Sequence, residues 1–176
     1  MSVWDIIVIV LFLLMAVLSV AQGLLRQAMM LFGFYFATLI AGFTYNYVAT
    51  FMTAFTPNFR SLRESISFLL VFLIIVIIVE VFHRKGFPQT KLPKLKALDN
   101  VLGIIPGVLS GLVLAVAIIS CLGHTGLLIS EEQLESMVTY PFLSAFMNVY
   151  QVTLSVFYLG NLPPLLRFLL PNVNAL

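Results

Sequence analysis

The residues of this chain that could do chemistry are few, and two aspartates among them stand at the starts of long apolar runs. Asp5 precedes the run IIVIV, and Asp99 precedes a long uncharged stretch in which glycine recurs at 103, 107 and 111. An aspartate in such a place is a favoured helix cap, worth about 1 kcal/mol through hydrogen bonding and the helix dipole. We therefore expect Asp5 and Asp99 to cap the helices that follow them.

The residue types usual in catalysis and metal binding lack a recognisable spacing. His83 adjoins Arg84 and Lys85 at the end of an apolar run, and His124 falls in a predicted loop. Neither has a serine, cysteine or acid at a spacing typical of zinc or nucleophilic motifs. The single cysteine, Cys121, lies in an apolar run and is expected to be a buried hydrophobe. The sequence thus predicts no enzyme, no catalytic or metal-binding residue and no cofactor.

The composition places the chain in a membrane. It has 176 residues, 61% hydrophobic and 9% charged, with a mean hydropathy of +1.11. A soluble domain carries about 25% charged residues, enough for a polar surface that this chain cannot make. An apolar helix of about 20 residues spans the hydrocarbon core. We predict an all-α integral membrane protein whose domain 1–125 has four transmembrane helices, at about 4–25, 28–50, 65–83 and 100–122.

The tail, residues 126–176, is predicted to be an amphipathic or interfacial helical region. The polar stretch SEEQLES at 130–136 has the pattern of a helix start. Within 142–159, polar residues recur at steps of four, three and four: Ser144, Asn148, Gln151 and Ser155. Such a helix lies in the membrane interface or packs on the bundle with its stripe toward polar partners. Because the segment is short and follows Pro141, we prefer the interface to a fifth span.

The basic residues are unevenly divided between the two sides of a four-span chain. One side carries six of them: Arg26, Arg84, Lys85, Lys91, Lys94 and Lys96. The positive-inside rule places that side in the cytoplasm, with the N-terminus and the tail outside. The basic loop 84–96 either serves only to set this topology or also lies on an anionic leaflet, to which each basic residue contributes about 1 kcal/mol.

Two helix contacts are predicted near the cytoplasmic rim. Arg26 and Asp99 end spans on the same side, as does Glu80, and a charge near lipid is costly unless it is paired. We expect Arg26 and Asp99 to approach each other. The glycines at 103, 107 and 111 are expected to form a docking face, because small residues let helix backbones approach. Packing within one chain and self-association both remain open. Within one chain, span one and span two are the candidate partners, and span two is preferred because it has small residues at 33, 37 and 41.

The chain resembles the CvpA (colicin V production protein) family of bacterial inner-membrane proteins. The resemblance covers about residues 3–125. It rests on Asp5 in VWDIIVIV, on Gly23-Leu24-Leu25-Arg26 as a Gly-x-x-Arg element, and on LDNVLG at 98–103 followed by Gly107 and Gly111. The chain departs from the family pattern where Gln27 replaces a glutamate, Asn100 an arginine and Ser110 an arginine.

The resemblance implies a role in colicin V or toxin production or export and in envelope maintenance. We expect a non-enzymatic scaffold or accessory factor in the inner membrane. Its expected partners are the lipid bilayer and, through the docking face, a second copy or other membrane proteins, but not nucleic acid. The alternative is a small channel or transporter formed by oligomerisation. Its candidate pore-lining residues are Thr38, Asn46, Ser110 and the stripe at 144–155.

Overall fold

A computed structural model describes residues 2–54, 59–86, 96–125, 133 and 136–167. Its long helices are α1 (Val3–Gln22), α2 (Leu24–Phe51), α3 (Arg60–Gly86) and α4 (Lys96–Thr125), and each is long and apolar enough to cross a membrane. A 3-10 turn, Met52–Ala54, follows α2. The tail adds α5 (Tyr140–Phe157) and the short α6 (Pro164–Arg167). The predicted all-α membrane fold with a further C-terminal helix is confirmed.

The helices form a bundle around α4. In its most apolar stretch 61% of α4 lies inside the bundle, compared with 22% for α1 and for α3. The outward faces of α1 and α3 carry large apolar side chains, such as Leu13 at 61% exposure and Ile77 at 60%. An apolar surface of this kind is suited to lipid, where the backbone of a helix is satisfied within itself.

Contacts between helix ends define two faces of the bundle. The turn face holds Gly23, the end of α3 and the start of α4, as shown by the hydrogen bond from Leu24 to Asp99. The terminal face holds the starts of α1 and α3 and the end of α4, where Glu64 meets His124. His124 belongs to the last turn of α4, so its predicted place in a loop is wrong. The helix continues because only a glycine at 123, and no proline, separates His124 from the apolar run.

The tail helix α5 crosses the bundle. It starts beside α1, where Thr139 donates to Asp5, and continues to α2, where the Tyr150 hydroxyl donates to Thr38 over 2.7 Å. It packs an apolar face inward, with Leu143, Met147 and Leu154 fully or almost fully buried.

The predicted polar stripe does not form the contact surface of α5. Gln151 is buried and donates to the carbonyl of Leu166, whereas Asn148 is exposed. The reason is geometric, because the stripe lies beside the apolar face and only Gln151 reaches the bundle. Most of the predicted helix start at 130–136, and Lys91 and Lys94 of the basic loop, lie outside the described residues.

Candidate functional site

Gly23 is the single residue between the end of α1 at Gln22 and the start of α2 at Leu24. Its φ of 86° lies in the left-handed region that glycine adopts without strain. Its N–H donates to the carbonyl of Ser19 over 3.0 Å, which closes the last turn of α1. The side of Gly23 on which another residue would carry a Cβ is filled by the carboxylate of Asp99. Any other residue at position 23 would therefore be strained and would displace Asp99.

Asp99 caps a neighbouring helix. Its Oδ1 accepts the N–H of Leu24, the first residue of α2, over 3.0 Å, and its side chain is only 2% exposed. The sequence predicts that Asp99 caps its own helix, α4. This hydrogen bond differs from that prediction, because the carboxylate points to the start of α2. The first amides of a helix lack partners within that helix, and an anion there also suits the helix dipole. We call Gly23, Leu24 and Asp99 the turn joint.

Asp5 ties together two helices at the terminal face. The N-cap of α1 is Ser2, so the predicted N-cap at Asp5 is wrong by three residues; Asp5 lies in the first turn and completes a capping box, in which its Oδ2 accepts the N–H of Ser2 over 2.8 Å. Its Oδ1 accepts the backbone N–H of Thr139 over 2.9 Å and the Thr139 hydroxyl over 2.8 Å. Asp5 is fully buried, and all these donors come from the segments that begin α1 and α5. We call Asp5, Ser2 and Thr139 the terminal joint.

The glycine face of α4 lies against α1. A Cβ on Gly103 would lie 3.0 Å from the carbonyl carbon of Gly23, and one on Gly107 would lie 2.6 Å from the Cβ of Ser19. A Cβ on Gly111 would lie 3.3 Å from the Cβ of Met15. The predicted docking face is therefore used inside one chain.

The prediction that span two, which is α2, packs on the glycine face is wrong. Gly33 of α2 faces α3 instead, where a Cβ at position 33 would lie 2.6 Å from Cγ1 of Val79. The tight Gly23 turn holds the end of α1 against the start of α4, so the first glycine of the face already meets that turn. Gly33 of α2 is then free to receive α3.

Arg26 pairs with Glu80 of α3. Its guanidinium contacts the Glu80 carboxylate at 2.5 Å, and Arg84 contacts the same oxygen at 2.6 Å. The predicted approach of Arg26 to Asp99 is wrong as a direct ion pair, because Asp99 is committed to the start of α2. The sequence indicates that charged residues meet at the turn face, but it does not show which acidic residue pairs with which basic one.

The turn face also gathers polar atoms that lack a hydrogen-bond partner. Each atom is buried and sits on α2, α3 or α4: Nε of Arg26, Oε1 of Gln27, Oε2 of Glu80, Nδ1 of His83, Oδ2 of Asp99 and Oδ1 of Asn100. Buried polar groups normally have a partner, so this concentration makes the turn face chemically distinct. The sequence marks Gln27 and Asn100 only as departures from a family pattern.

The terminal face carries a second ion-pair group, which sequence reasoning missed. Glu64 contacts Arg60 at 2.7 Å and Nε2 of His124 at 3.1 Å, so it links α3 to the end of α4. The spacing of Arg60 and Glu64, four residues apart on one helix, was the available signal. Within the described residues, no three His, Cys, Asp or Glu side chains are grouped as metal ligands. Cys121 is buried, at 1% exposure.

The family-motif residues thus fall into two groups. Gly23, Asp99, Gly103, Gly107 and Gly111 lie together along the contact between α1 and α4, with Arg26 nearby on the turn face. Asp5 lies at the other end of the bundle. The contacts of both groups hold helices together.

The model of one protein family, colicin V production protein, matches residues 4–148. The match begins just before Asp5 and extends past the four long helices into α5, farther than the resemblance seen in the residues alone. A comparison with curated proteins and with solved structures gives no significant match. The chain therefore belongs to the colicin V production protein (CvpA) family.

Proposed function

We propose that this chain is a non-enzymatic accessory or scaffold protein of the bacterial inner membrane, which supports colicin V or toxin production or export and maintenance of the envelope. One observation carries the proposal: the family-motif side chains are engaged in joining the helices of one chain. Asp5 and Asp99 accept hydrogen bonds from the starts of other helices, and the glycine face of α4 receives α1. Such a bundle offers a stable apolar surface to neighbours in the membrane.

The candidate pore-lining residues do not favour a channel within the bundle. Ser110 is buried and donates to the carbonyl of Pro106 in its own helix, over 2.8 Å. Thr38 donates likewise to Phe34 and accepts from Tyr150. Asn46 is exposed. Ser110 and Thr38 are occupied by hydrogen bonds and Asn46 lies on the outside, so these three residues support no common water path.

A transporter or channel remains the second candidate because of the turn face. Arg26, Glu80 and Asp99 bring charges to the ends of three helices, and each has a buried atom without a partner. Ionisable residues within membrane helices are costly and often mark ion or substrate pathways. Under this alternative, the turn face would be the mouth of a path formed by several copies.

Toxin export and liposome flux, measured together, test the proposal. Cells that lack the chain are expected to export less colicin V, and wild-type protein should restore export. The purified protein in liposomes should release no more trapped ion or dye than empty liposomes do. Asp99→Ala should fail to restore export. Gly86→Ala is the matched control, because nothing lies within 4 Å of a Cβ at position 86.

Two results would contradict the scaffold proposal. Unchanged export in cells lacking the chain would remove the link to toxin production. A flux through liposomes that Asp99→Ala abolishes would favour the transporter. Crosslinking in native membranes followed by mass spectrometry would then identify the neighbours, with a photoreactive residue at the exposed Leu13 and at the buried Val116 as its control.

A further inference from the structure

A half-polar cleft lies between α2 and the tail. It has a volume of about 390 Å³, and its walls include Phe43, Asn46, Tyr158, Asn161, Pro163 and Arg167. Neither the aspartate joints nor the glycine face extends into it.

The tail is fixed against α2 at this cleft. The ring of Tyr158 stacks on Phe43 with centroids 4.3 Å apart, and its hydroxyl donates to the carbonyl of Leu39 over 2.8 Å. Gly42 provides the room, since a Cβ there would overlap the Tyr158 hydroxyl and lie 3.4 Å from Cγ of Pro163. The cleft is therefore a product of specific packing.

The same packing places Arg167 at the edge of the cleft. Leu165 and Leu166, the two residues before it, are fully buried, and the carbonyl of Leu166 accepts a hydrogen bond from Gln151. Arg167 itself is exposed and, within the described part of the chain, forms no ion pair. A charged side chain without a partner is thus held on a rigid support.

The lining of the cleft is suited to an anion. Arg167 provides its charge, and the exposed amides of Asn46 and Asn161 can donate hydrogen bonds; no acidic side chain is among the lining residues. The planar guanidinium fork matches the oxygens of a phosphate in two parallel hydrogen bonds. A phosphate group is therefore the ligand chemistry that this lining fits best.

The depth of the cleft points to a lipid as the source of the phosphate. Helix α2 has 28 residues. At 1.5 Å per residue it is roughly 42 Å long, and the hydrocarbon core is only about 30 Å thick. Helix α1 covers this thickness with the 20 residues from Val3 to Gln22, before the Gly23 turn, and α2 covers it again from that turn to about Phe43, so Asn46 lies just beyond the core. That is the level of the lipid headgroups, and the stacked ring of Phe43 beside it can contact an acyl chain.

We propose that this cleft binds the headgroup phosphate of an anionic phospholipid from the leaflet at the terminal face. Arg167 binds the phosphate oxygens, and the amides of Asn46 and Asn161 donate to the headgroup. The acyl chain leaves the cleft along Phe43. The bound lipid would fasten the tail to α2 at the membrane surface.

Native mass spectrometry of the full, delipidated chain tests the proposal, with phosphatidylglycerol as the probe and phosphatidylcholine as the neutral comparison. Arg167→Gln should weaken phosphatidylglycerol binding about tenfold, the loss typical of one charge-assisted contact. Asn46→Asp, which puts a negative charge into the cleft, should weaken it at least as much. Arg60→Gln is the matched control, since Arg60 is an exposed arginine at the same face but outside the cleft.

Thermal denaturation of each variant shows whether it is folded. If Arg167→Gln does not fold, the binding of phosphatidylglycerol to Asn46→Asp decides the test. Equal losses in all three variants would overturn the proposal in favour of diffuse charge attraction. Unchanged binding in folded Arg167→Gln and Asn46→Asp would also overturn it. Displacement of phosphatidylglycerol by millimolar inorganic phosphate would overturn the lipid as the source.

Discussion

At the scale of single residues, Asp5 and Asp99 do the same work at opposite ends of the bundle. Each buried carboxylate accepts the N–H of a residue at the start of another helix, Thr139 for Asp5 and Leu24 for Asp99. The residue types and their places before apolar runs were enough to predict caps. They could not show which helix is capped, because that depends on how the chain turns at Gly23.

Two double-mutant cycles test which acidic residue forms an ion pair with Arg26. Arg26→Gln and Glu80→Gln should be coupled by about 1 kcal/mol, since their side chains are partly buried and in contact. Arg26→Gln and Asp99→Ala should be additive. Asp99→Ala alone should lower the free energy of unfolding by about 1–3 kcal/mol, because it leaves the Leu24 N–H without its acceptor. Reversible unfolding in detergent micelles measures all three quantities. Stronger coupling of Arg26 to Asp99 than to Glu80 would contradict this assignment.

The closest glycine contact can be tested by compensation. Gly107→Ala should lower the free energy of unfolding by about 1–3 kcal/mol, because its Cβ would lie 2.6 Å from the Cβ of Ser19. Ser19→Gly in the same chain should restore most of that loss by removing the clashing atoms. Gly111→Ala should cost less, since its Cβ would lie 3.3 Å from its neighbours. Thermal melts in detergent report the order, and an absence of rescue by Ser19→Gly would speak against this contact.

At the scale of elements, hydrophobic runs predicted the four long helices within a few residues at most ends. The second span, predicted at about 28–50, is α2 at Leu24–Phe51. The largest differences are at the starts of α2, α3 and α4, which begin at Leu24, Arg60 and Lys96 and so include polar residues before the apolar runs. Helix partners were harder to predict, because α1 and α2 both looked suitable for the glycine face. The tail was harder still, since its position depends on contacts such as Tyr158 with Gly42 that no local pattern reveals.

Limited proteolysis tests how the tail is held. Tyr158→Ala removes the stacking on Phe43 and the hydrogen bond to Leu39, so the segment around Arg167 should open more often. Trypsin should then cut after Arg167 several times faster than in the wild-type protein. Tyr47→Ala, at an exposed ring elsewhere on α2, is the control and should leave the rate unchanged. Equal rates in Tyr158→Ala and wild type would show that α6 holds itself in place.

At the scale of the whole molecule, four long helices put the turn face and the terminal face on opposite sides of a membrane. Composition alone predicted the membrane class, because 9% charged residues cannot cover a soluble domain. The orientation remains a prediction that rests on the six basic residues of the turn side. The arrangement of the helices around α4 was not predictable, since it follows from contacts between distant segments.

Cysteine labelling in intact cells tests the orientation. In a Cys121→Ala chain, a cysteine at the exposed Ser136 of the terminal face should react with an impermeant reagent. A cysteine at the exposed Lys85 of the turn face should react only after the cells are opened. The reverse pattern would invert the orientation, and labelling of both in intact cells would exclude the four-span arrangement.

The most direct test of the central claim, that the glycine face of α4 receives α1 of the same chain, is a disulfide between Met15→Cys and Gly111→Cys in a Cys121→Ala background. A Cβ at position 111 would lie 3.3 Å from the Cβ of residue 15, close to the separation of about 3.5–4.5 Å that a disulfide needs. Mild oxidation in native membranes should give a crosslinked monomer that is sensitive to reducing agent. A crosslinked dimer in place of the monomer would show that the glycine face joins two chains, and would contradict the account.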